Sequence, residues 1–139
     1  MSNLNKDDKE VTNLNKIDDT GVFNGRMILK EYDFFSMGNV KILYPSQEDI
    51  NDILTIMTKS AIIDEESREI VIDLDIYKIV YELLPIVTNI DVSDVTRDNI
   101  KHYVDIGHPE FLEVVNDVSA IVNSLAELFH SILNDKLKK

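Results

Sequence analysis

The C-terminal stretch 109–137 constrains the fold of this chain more than any other part. Apolar residues recur in it at steps of three and four, the spacing that places side chains on one face of an α-helix. Pro109 suits a first helical position, and the lysines at the far end complement the helix dipole. The spacing predicts a single helix roughly 40 Å long, at 1.5 Å per residue. Its apolar stripe consists of Phe111, Val114, Val115, Val118, Ile121, Val122, Leu125, Leu128, Phe129, Ile132 and Leu133.

Length and composition predict one domain with a tail. A chain of 139 residues, 44% of them hydrophobic, can bury one core of ordinary size. No apolar run approaches the ~20 residues of a membrane span, and residues 1–16 lack the order of a signal peptide. The absence of cysteine excludes disulfides, thiolate metal sites and cysteine nucleophiles. A cytoplasmic protein without membrane contact is expected.

The first 22 residues are predicted to be a disordered polar tail. Asn, Asp, Lys and Thr dominate this segment, and Leu4, Val11, Leu14 and Ile17 are too sparse to form a buried face. The remaining residues, 23–139, are predicted to form a single helical domain with an N-terminal β-hairpin.

Turn and capping signals divide this domain into elements. Residues 26–44 read as two strands joined at 36–39, and Ser46 with Asp49 forms a capping box for a helix over about 47–60. The stretch 61–73 fits either a second hairpin or a helix end followed by one short strand, and the latter is favoured.

The second half of the domain is predicted to be helical. Asp73 is expected to cap a core helix that Pro85 stops or kinks, and Ser93 to cap a shorter helix that ends at Gly107. The predicted fold class is therefore mainly α (α+β). It has about four helices, a small N-terminal β-hairpin and a long C-terminal helix.

No catalytic or metal-binding constellation is visible. None of His102, His108 and His130 lies three or four residues from another histidine or a suitable carboxylate cluster. The acidic stretch 64–69 lacks the Asp-x-Asp-x-Asp-Gly order of the common calcium loop, and four scattered glycines cannot build a phosphate loop. A non-enzymatic protein without cofactor or metal is expected.

Charge points to protein partners. The chain carries 26 acidic and 14 basic residues, a net charge of −12, which disfavours binding to nucleic acid. Nine acidic residues against two basic ones lie between Gln47 and Asp75. This acid-rich region is either a solubilising surface or one that steers a basic partner, and both interpretations stay open. The acidic candidates for partner binding are Glu48, Asp52, Glu65, Glu66 and Glu69.

A second candidate surface lies beside the apolar stripe of the C-terminal helix. Residues without formal charge at neutral pH form one flank of this helix, and depletion of charge next to apolar residues is typical of protein–protein contacts. The flank and the length of the helix also predict self-association of the chain. The flank residues are Asn116, Ser119, Asn123, Ala126 and His130.

One part of the chain resembles a known family. The run 40–50, Val-Lys-Ile-Leu-Tyr-Pro-Ser-Gln-Glu-Asp-Ile, followed by 60–66, Ser-Ala-Ile-Ile-Asp-Glu-Glu, resembles the central part of tail assembly chaperones from phages and prophages of Gram-positive bacteria. The likeness spans about 26–130 and includes the connection Thr-Asn-Ile-Asp at 88–91, whereas the Asn/Asp/Lys tail departs from the family pattern.

This resemblance implies a non-enzymatic protein that binds helical segments of the tape measure protein and keeps them soluble during tail assembly. Such a protein acts in the cytoplasm of the bacterial host and is absent from the mature virion. Two alternatives belong to other classes. One is a structural or adaptor subunit of a phage tail or head–tail connector, and the other is an acidic inhibitor or antitoxin that masks a basic partner.

Overall fold

The computed structural model describes residues 13, 14 and 21–137, with side chains described as far as residue 131 except at residue 129. The predicted polar tail therefore lies mostly outside the described residues, although its last residue, Val22, opens a strand. The described part of the chain has a mixed α+β fold that is mainly helical. A small sheet near the N-terminus and a long C-terminal helix confirm the predicted fold class.

The N-terminal sheet has three antiparallel strands in the order β1 (Val22–Phe23), β2 (Arg26–Phe34) and β3 (Gly38–Leu43). The hairpin of β2 and β3 confirms the predicted strand pair. Strand β1 was not predicted, and it is joined to β2 by an Asn24-Gly25 turn in which both residues have positive φ, at 51° and 77°. An Asn-Gly pair favours such a two-residue turn because both residues tolerate the left-handed region.

After the sheet, the predicted helix at about 47–60 is confirmed, whereas the prediction for 61–73 is not. Helix α1 (Gln47–Lys59) begins at the predicted capping box, since Ser46 Oγ accepts from Asp49 N and the Asp49 carboxylate accepts from Ser46 N. The favoured interpretation of 61–73 was wrong, because this stretch is a hairpin of β4 (Ala61–Ile63) and β5 (Ile70–Ile72). Its two triplets of mainly β-branched residues suit paired strands better than a helix end.

Helix α2 covers 76–87 in three parts, Ile76–Lys78, a π-helical segment Ile79–Leu83 and Leu84–Val87. The predicted cap at Asp73 was wrong, because Asp73 N donates to Ser60 O and continues the hairpin ladder. Asp75 caps the helix instead, and its carboxylate accepts from Lys78 N. Pro85 follows the π segment, where its missing N–H and its ring disfavour regular α-helical bonding to the preceding turn.

The last two helices are α3 (Arg97–Asp105) and α4 (Pro109–Leu137). The predicted cap at Ser93 was wrong, because Ser93 lies in a turn where its N–H donates to the Asp91 carboxylate. Thr96 caps α3 in a second capping box with Asn99. Gly107 follows the end of α3 and has a positive φ of 63°. Helix α4 begins and ends where the apolar spacing predicts.

One apolar core holds these elements together. Buried side chains from β3, α1, α2 and α3 pack against those of the first half of α4. Strand β3 is further tied to the end of α2, since Lys41 N donates to Asn89 Oδ1 and Asn89 N donates to Lys41 O. The buried core residues are Val40, Ile42, Ile53, Met57, Val80, Leu83, Leu84, Val87, Ile100, Val114, Val118 and Val122.

Candidate partner-binding surface

The β4–β5 hairpin presents an acidic loop of defined shape. The Asp64 carboxylate organises the loop by accepting hydrogen bonds from Glu66 N at 3.2 Å and Ser67 Oγ at 3.0 Å. Asp64 N donates to Glu69 O at 2.8 Å across the base of the loop. The side chains of Glu65, Glu66 and Glu69 are exposed, and no ion pair within 21–131 neutralises them. Their negative charges are therefore available to attract a cationic partner.

Apolar side chains are also exposed on this hairpin. The cross-strand pair Ile62 and Val71 is 53% and 41% exposed, and Ile63 is 66% exposed. A hairpin of two strands is marginal in water unless it packs against other elements. This one packs on the core through Ile72 at its base, where Asp73 N donates to Ser60 O and extends the ladder by one bond. Its outer part thus combines unpaired acids with uncovered aliphatic surface.

A groove of about 280 Å³ lies between the base of this hairpin and the C-terminal helix. One wall comes from β5 and α2, and the other comes from the predicted uncharged flank of α4. No charged residue lines the groove. We call it the α4 groove, and its lining residues are Ile72, Leu74, Ile79, Ser119, Val122, Asn123 and Ala126.

The two predicted candidate sets are linked through the β4–β5 hairpin, which carries the acidic loop at one end and a groove residue at the other. Ser119, Asn123 and Ala126 of the flank line the α4 groove. The acidic loop residues Glu65, Glu66 and Glu69 precede β5, whose last residue, Ile72, belongs to the opposite wall. Asn116 is exposed and His130 is partly buried on the same helix, but neither lines the groove.

The acidic candidates on α1 lie elsewhere. Glu48 and Asp52 are exposed on this helix, and no described contact joins them to the α4 groove. Between them, Asp49 is only 3% exposed and receives a bidentate ion pair from Arg26, with N–O distances of 2.5 and 2.7 Å. The Arg26 guanidinium holds the pKa of Asp49 below its ordinary value, and burial opposes this shift. Asp49 therefore does not contribute to an exposed acidic surface.

The acidic side of α4 faces the sheet. The Asp117 carboxylate accepts from Tyr32 Oη at 2.5 Å and forms an ion pair with Lys30 at 2.8 Å. The hydrogen bond to Asp117 raises the pKa of Tyr32 to about 12. The Glu110 carboxylate accepts from the backbone of the β2–β3 turn. Sequence spacing alone could not reveal these contacts, because they join residues more than 70 positions apart.

Two further observations on the described residues concern metal binding and membrane spanning. Within the described part of the chain, His, Cys, Asp and Glu side chains form no group of three or more that could hold a metal ion. None of the helices described here combines the length and the apolar character needed to cross a membrane.

Comparison of the chain with protein-family models, with curated proteins and with solved structures finds no match in any of the three.

Proposed function

We propose that this chain is a non-enzymatic phage tail assembly chaperone that binds helical segments of a tape measure protein and keeps them soluble. The observation that carries the proposal is the α4 groove at the base of the β4–β5 hairpin, whose loop is acidic. The family resemblance of 40–50 and 60–66 supplies the identity of the partner. The proposal places the chaperone in the cytoplasm of the bacterial host and outside the mature virion.

The chemistry of this surface suits an amphipathic helix. Such a helix docks through apolar anchors spaced three and four residues apart, and an uncharged groove lets these anchors leave water without burying a charge. Exposed Ile62 and Val71 form a separate apolar patch on the other face of the hairpin from Ile72, because neighbouring strand residues point to opposite faces. Unpaired carboxylates on the adjacent loop attract basic side chains on the other face of the helix. In this proposal the groove supplies the affinity for the helix, and the acidic loop raises the association rate.

Co-expression tests the proposal directly. A fragment of the tape measure protein encoded beside this chain is expected to stay soluble with the chain and to aggregate without it. Asn123→Glu should reduce the soluble fraction because it places a carboxylate in the α4 groove, where apolar anchors would have to desolvate it. Soluble fragment after centrifugation is the measured quantity.

Asn116→Glu is the matched control. It adds the same charge to an exposed position two turns earlier on α4, outside the groove, and should leave solubility unchanged. A fragment whose solubility is indifferent to the wild-type chain would reject the chaperone proposal in favour of a structural subunit. Mass spectrometry would then find the chain in purified virions. If Asn123→Glu instead dissociates a dimer seen by light scattering, a second copy occupies the groove.

Reversal of the loop charges is expected to slow association. Changing Glu65 and Glu66 to Lys should lower the association rate constant for a basic tape measure helix by up to about tenfold at low salt. Salt should have a similar effect on the wild type, because exposed charges are screened beyond ~8 Å at 0.15 M. Stopped-flow measurements at several salt concentrations provide the rates.

A matched double charge reversal on α1 distinguishes the effect of the loop charges from the effect of net charge. Glu48→Lys with Asp52→Lys alters the net charge equally at exposed positions without contact to the groove. This control should slow association much less than the loop variant. Equal slowing by both variants would show that overall charge, and not the acidic loop, governs the encounter.

A further inference from the structure

The β4–β5 hairpin leaves the backbone edge of β4 open. Asp64 N donates to Glu69 O, so these two residues are a hydrogen-bonded pair of the antiparallel ladder. Bonded and non-bonded pairs alternate along such a ladder, and the N–H and C=O groups of Ala61 and Ile63 therefore point outward from β4. Within 21–131, no hydrogen bond joins these outward groups to another part of the chain. They are available to a further strand.

The side chains of β4 are exposed on both faces of the hairpin. Ile62 belongs to the patch that it shares with Val71, whereas the more exposed Ile63 points to the opposite face. Strand β5 differs, because it packs on the core through Ile72. A strand added along β4 would cover aliphatic surface on both faces, and it would turn a marginal pair of strands into a three-stranded sheet.

Strand β4 has neither a charge nor a proline to protect its edge. Native proteins commonly guard such edges with charged side chains, prolines or bulges. Edge strand β2 follows this rule, since Lys30, Glu31 and Asp33 lie along it beyond its short pairing with β1. The sequence of β4 is Ala-Ile-Ile, and its register with β5 is regular. Its three residues limit pairing to a short segment, which favours one added strand over open-ended stacking.

The charge at the end of β4 is negative. The hairpin loop, 64–69, contains four acidic residues and one basic residue, Arg68. Glu65 and Glu66 follow Ile63 closely in the chain, and both are exposed. A strand that pairs with Ile63 and continues past it reaches this loop, where Lys or Arg side chains are favoured. A second copy of this chain brings the same acids and a net charge of −12, and it is disfavoured.

We propose that the free edge of β4 binds an extended segment of a partner protein in which a few aliphatic residues are followed by Lys or Arg. The main chain of this segment pairs with the outward groups of Ala61 and Ile63 as a third strand. Its aliphatic side chains cover Ile62 and Ile63, and its basic side chains lie near Glu65 and Glu66. The site is a strand edge and not the α4 groove, and the proposal does not depend on the chaperone function.

The test uses a peptide in which Val-Ile-Val-Thr stands between pairs of lysines, together with two N-methylated forms. Alternate N–H groups of an extended segment point to opposite edges, so one form is methylated at both Val residues and the other at Ile and Thr. The form methylated on the edge that faces β4 should bind the full chain about tenfold more weakly or worse, because it loses main-chain hydrogen bonds. The other form should bind nearly as tightly as the unmodified peptide.

Titration calorimetry with the full chain measures the three affinities. All three peptides carry the same charge, so attraction of lysines to an acidic protein cannot separate the two methylated forms. Equal affinities of these two forms would overturn the proposal.

A proline at the edge locates the added strand. Ile63→Pro removes the outward N–H and places a ring there, which should weaken binding of the unmodified peptide about tenfold or more. Proline is tolerated at an edge position whose N–H faces solvent, so the hairpin should stay folded. Ile63→Val keeps the N–H and is the matched control, with affinity close to wild type. Unchanged affinity in Ile63→Pro refutes the proposal.

Hydrogen exchange establishes whether the hairpin of each variant is folded. Asp64 N and Asp73 N donate across it, so slow exchange of these two amides reports an intact ladder. In the wild type, the Ile63 amide should exchange more slowly once the peptide is bound. Should Ile63→Pro unfold the hairpin, the comparison of the two methylated peptides decides.

Further variants distinguish other occupants and other sites. Glu65→Lys with Glu66→Lys should weaken binding and remove most of its salt dependence, and unchanged affinity would refute a basic occupant. Asn123→Glu in the α4 groove should have no effect on this peptide. Binding that is lost in Asn123→Glu but retained in Ile63→Pro would place the peptide in the groove. A dimer that Ile63→Pro dissociates would make a second copy the occupant, and either result overturns the proposal.

Discussion

Leu83→Ala is expected to lower the free energy of unfolding by about 2–5 kcal/mol. Leu83 has no exposed surface and belongs to the apolar core where α2 meets the other helices and β3. Truncation removes buried methyl groups and leaves a cavity that close-packed neighbours fill only in part. Urea denaturation followed by circular dichroism measures the change.

Two leucines of α4 provide a graded comparison. Leu128 is 50% exposed, so Leu128→Ala should cost below about 1 kcal/mol. Leu125 is partly buried against the core, and Leu125→Ala should lie between Leu128→Ala and Leu83→Ala. A cost at Leu83 no larger than at Leu128 would contradict the position of the core. A cost below ~1 kcal/mol at Leu125 would assign that side chain to an interface with a partner.

Local signals account for what the sequence predicts correctly. The capping box at Ser46 and Asp49, the left-handed Gly107 and the long apolar stripe of α4 each depend on residues close together in the chain. The two misplaced caps, at Asp73 and Ser93, follow from competition between neighbouring cap residues. The helices begin after Asp75 and Thr96, whose side chains make the capping bonds, whereas Asp73 N donates into the hairpin ladder and Ser93 N to the Asp91 carboxylate.

Only one wall of the α4 groove can be predicted from the sequence, because the other wall depends on packing between residues that are distant in the chain. Charge depletion along α4 identifies Ser119, Asn123 and Ala126, because helical spacing is enough to place them on one flank. The opposite wall comes from Ile72 and Leu74, whose position depends on how the β4–β5 hairpin packs. Nothing in the local pattern shows that this hairpin leads into the groove. Long-range packing, and not residue type, creates that part of the surface.

The ion pair of Arg26 and Asp49 is the clearest long-range feature that the sequence hides. These residues are 23 positions apart, and the capping box gives Asp49 a sufficient local role. Arg26→Met is expected to destabilise the protein by about 3 kcal/mol at pH 7, because it leaves a buried carboxylate without its counter-charge. The value lies at the low end for buried pairs since the Arg26 side chain is 26% exposed.

Lys101→Met is the matched control for this loss. Lys101 pairs with Asp105 at 2.6 Å on the surface of α3, where the two side chains are 66% and 57% exposed. Removal of such an exposed pair should leave the free energy of unfolding almost unchanged, because water and salt screen the two charges. Asp49→Asn added to Arg26→Met should recover part of the stability, because the amide oxygen can still accept from Ser46 N without a charge. No recovery would mean that lost packing of Arg26 causes the effect.

Lowering the pH should reduce the difference in free energy of unfolding between wild type and Arg26→Met. In the wild type the Asp49 pKa is depressed, chiefly by Arg26, so ionised Asp49 stabilises the fold above the ordinary carboxyl pKa of about 3.9. That stability is lost as the pH falls through the lower pKa of the folded state. In Arg26→Met burial raises the pKa, and protonation removes the unpaired charge instead of breaking a pair. Urea unfolding at pH 7, 5 and 3 should show the two free energies converging, while Lys101→Met stays close to wild type throughout. A constant difference across this range would show that the charge of Asp49 does not determine the cost of losing Arg26.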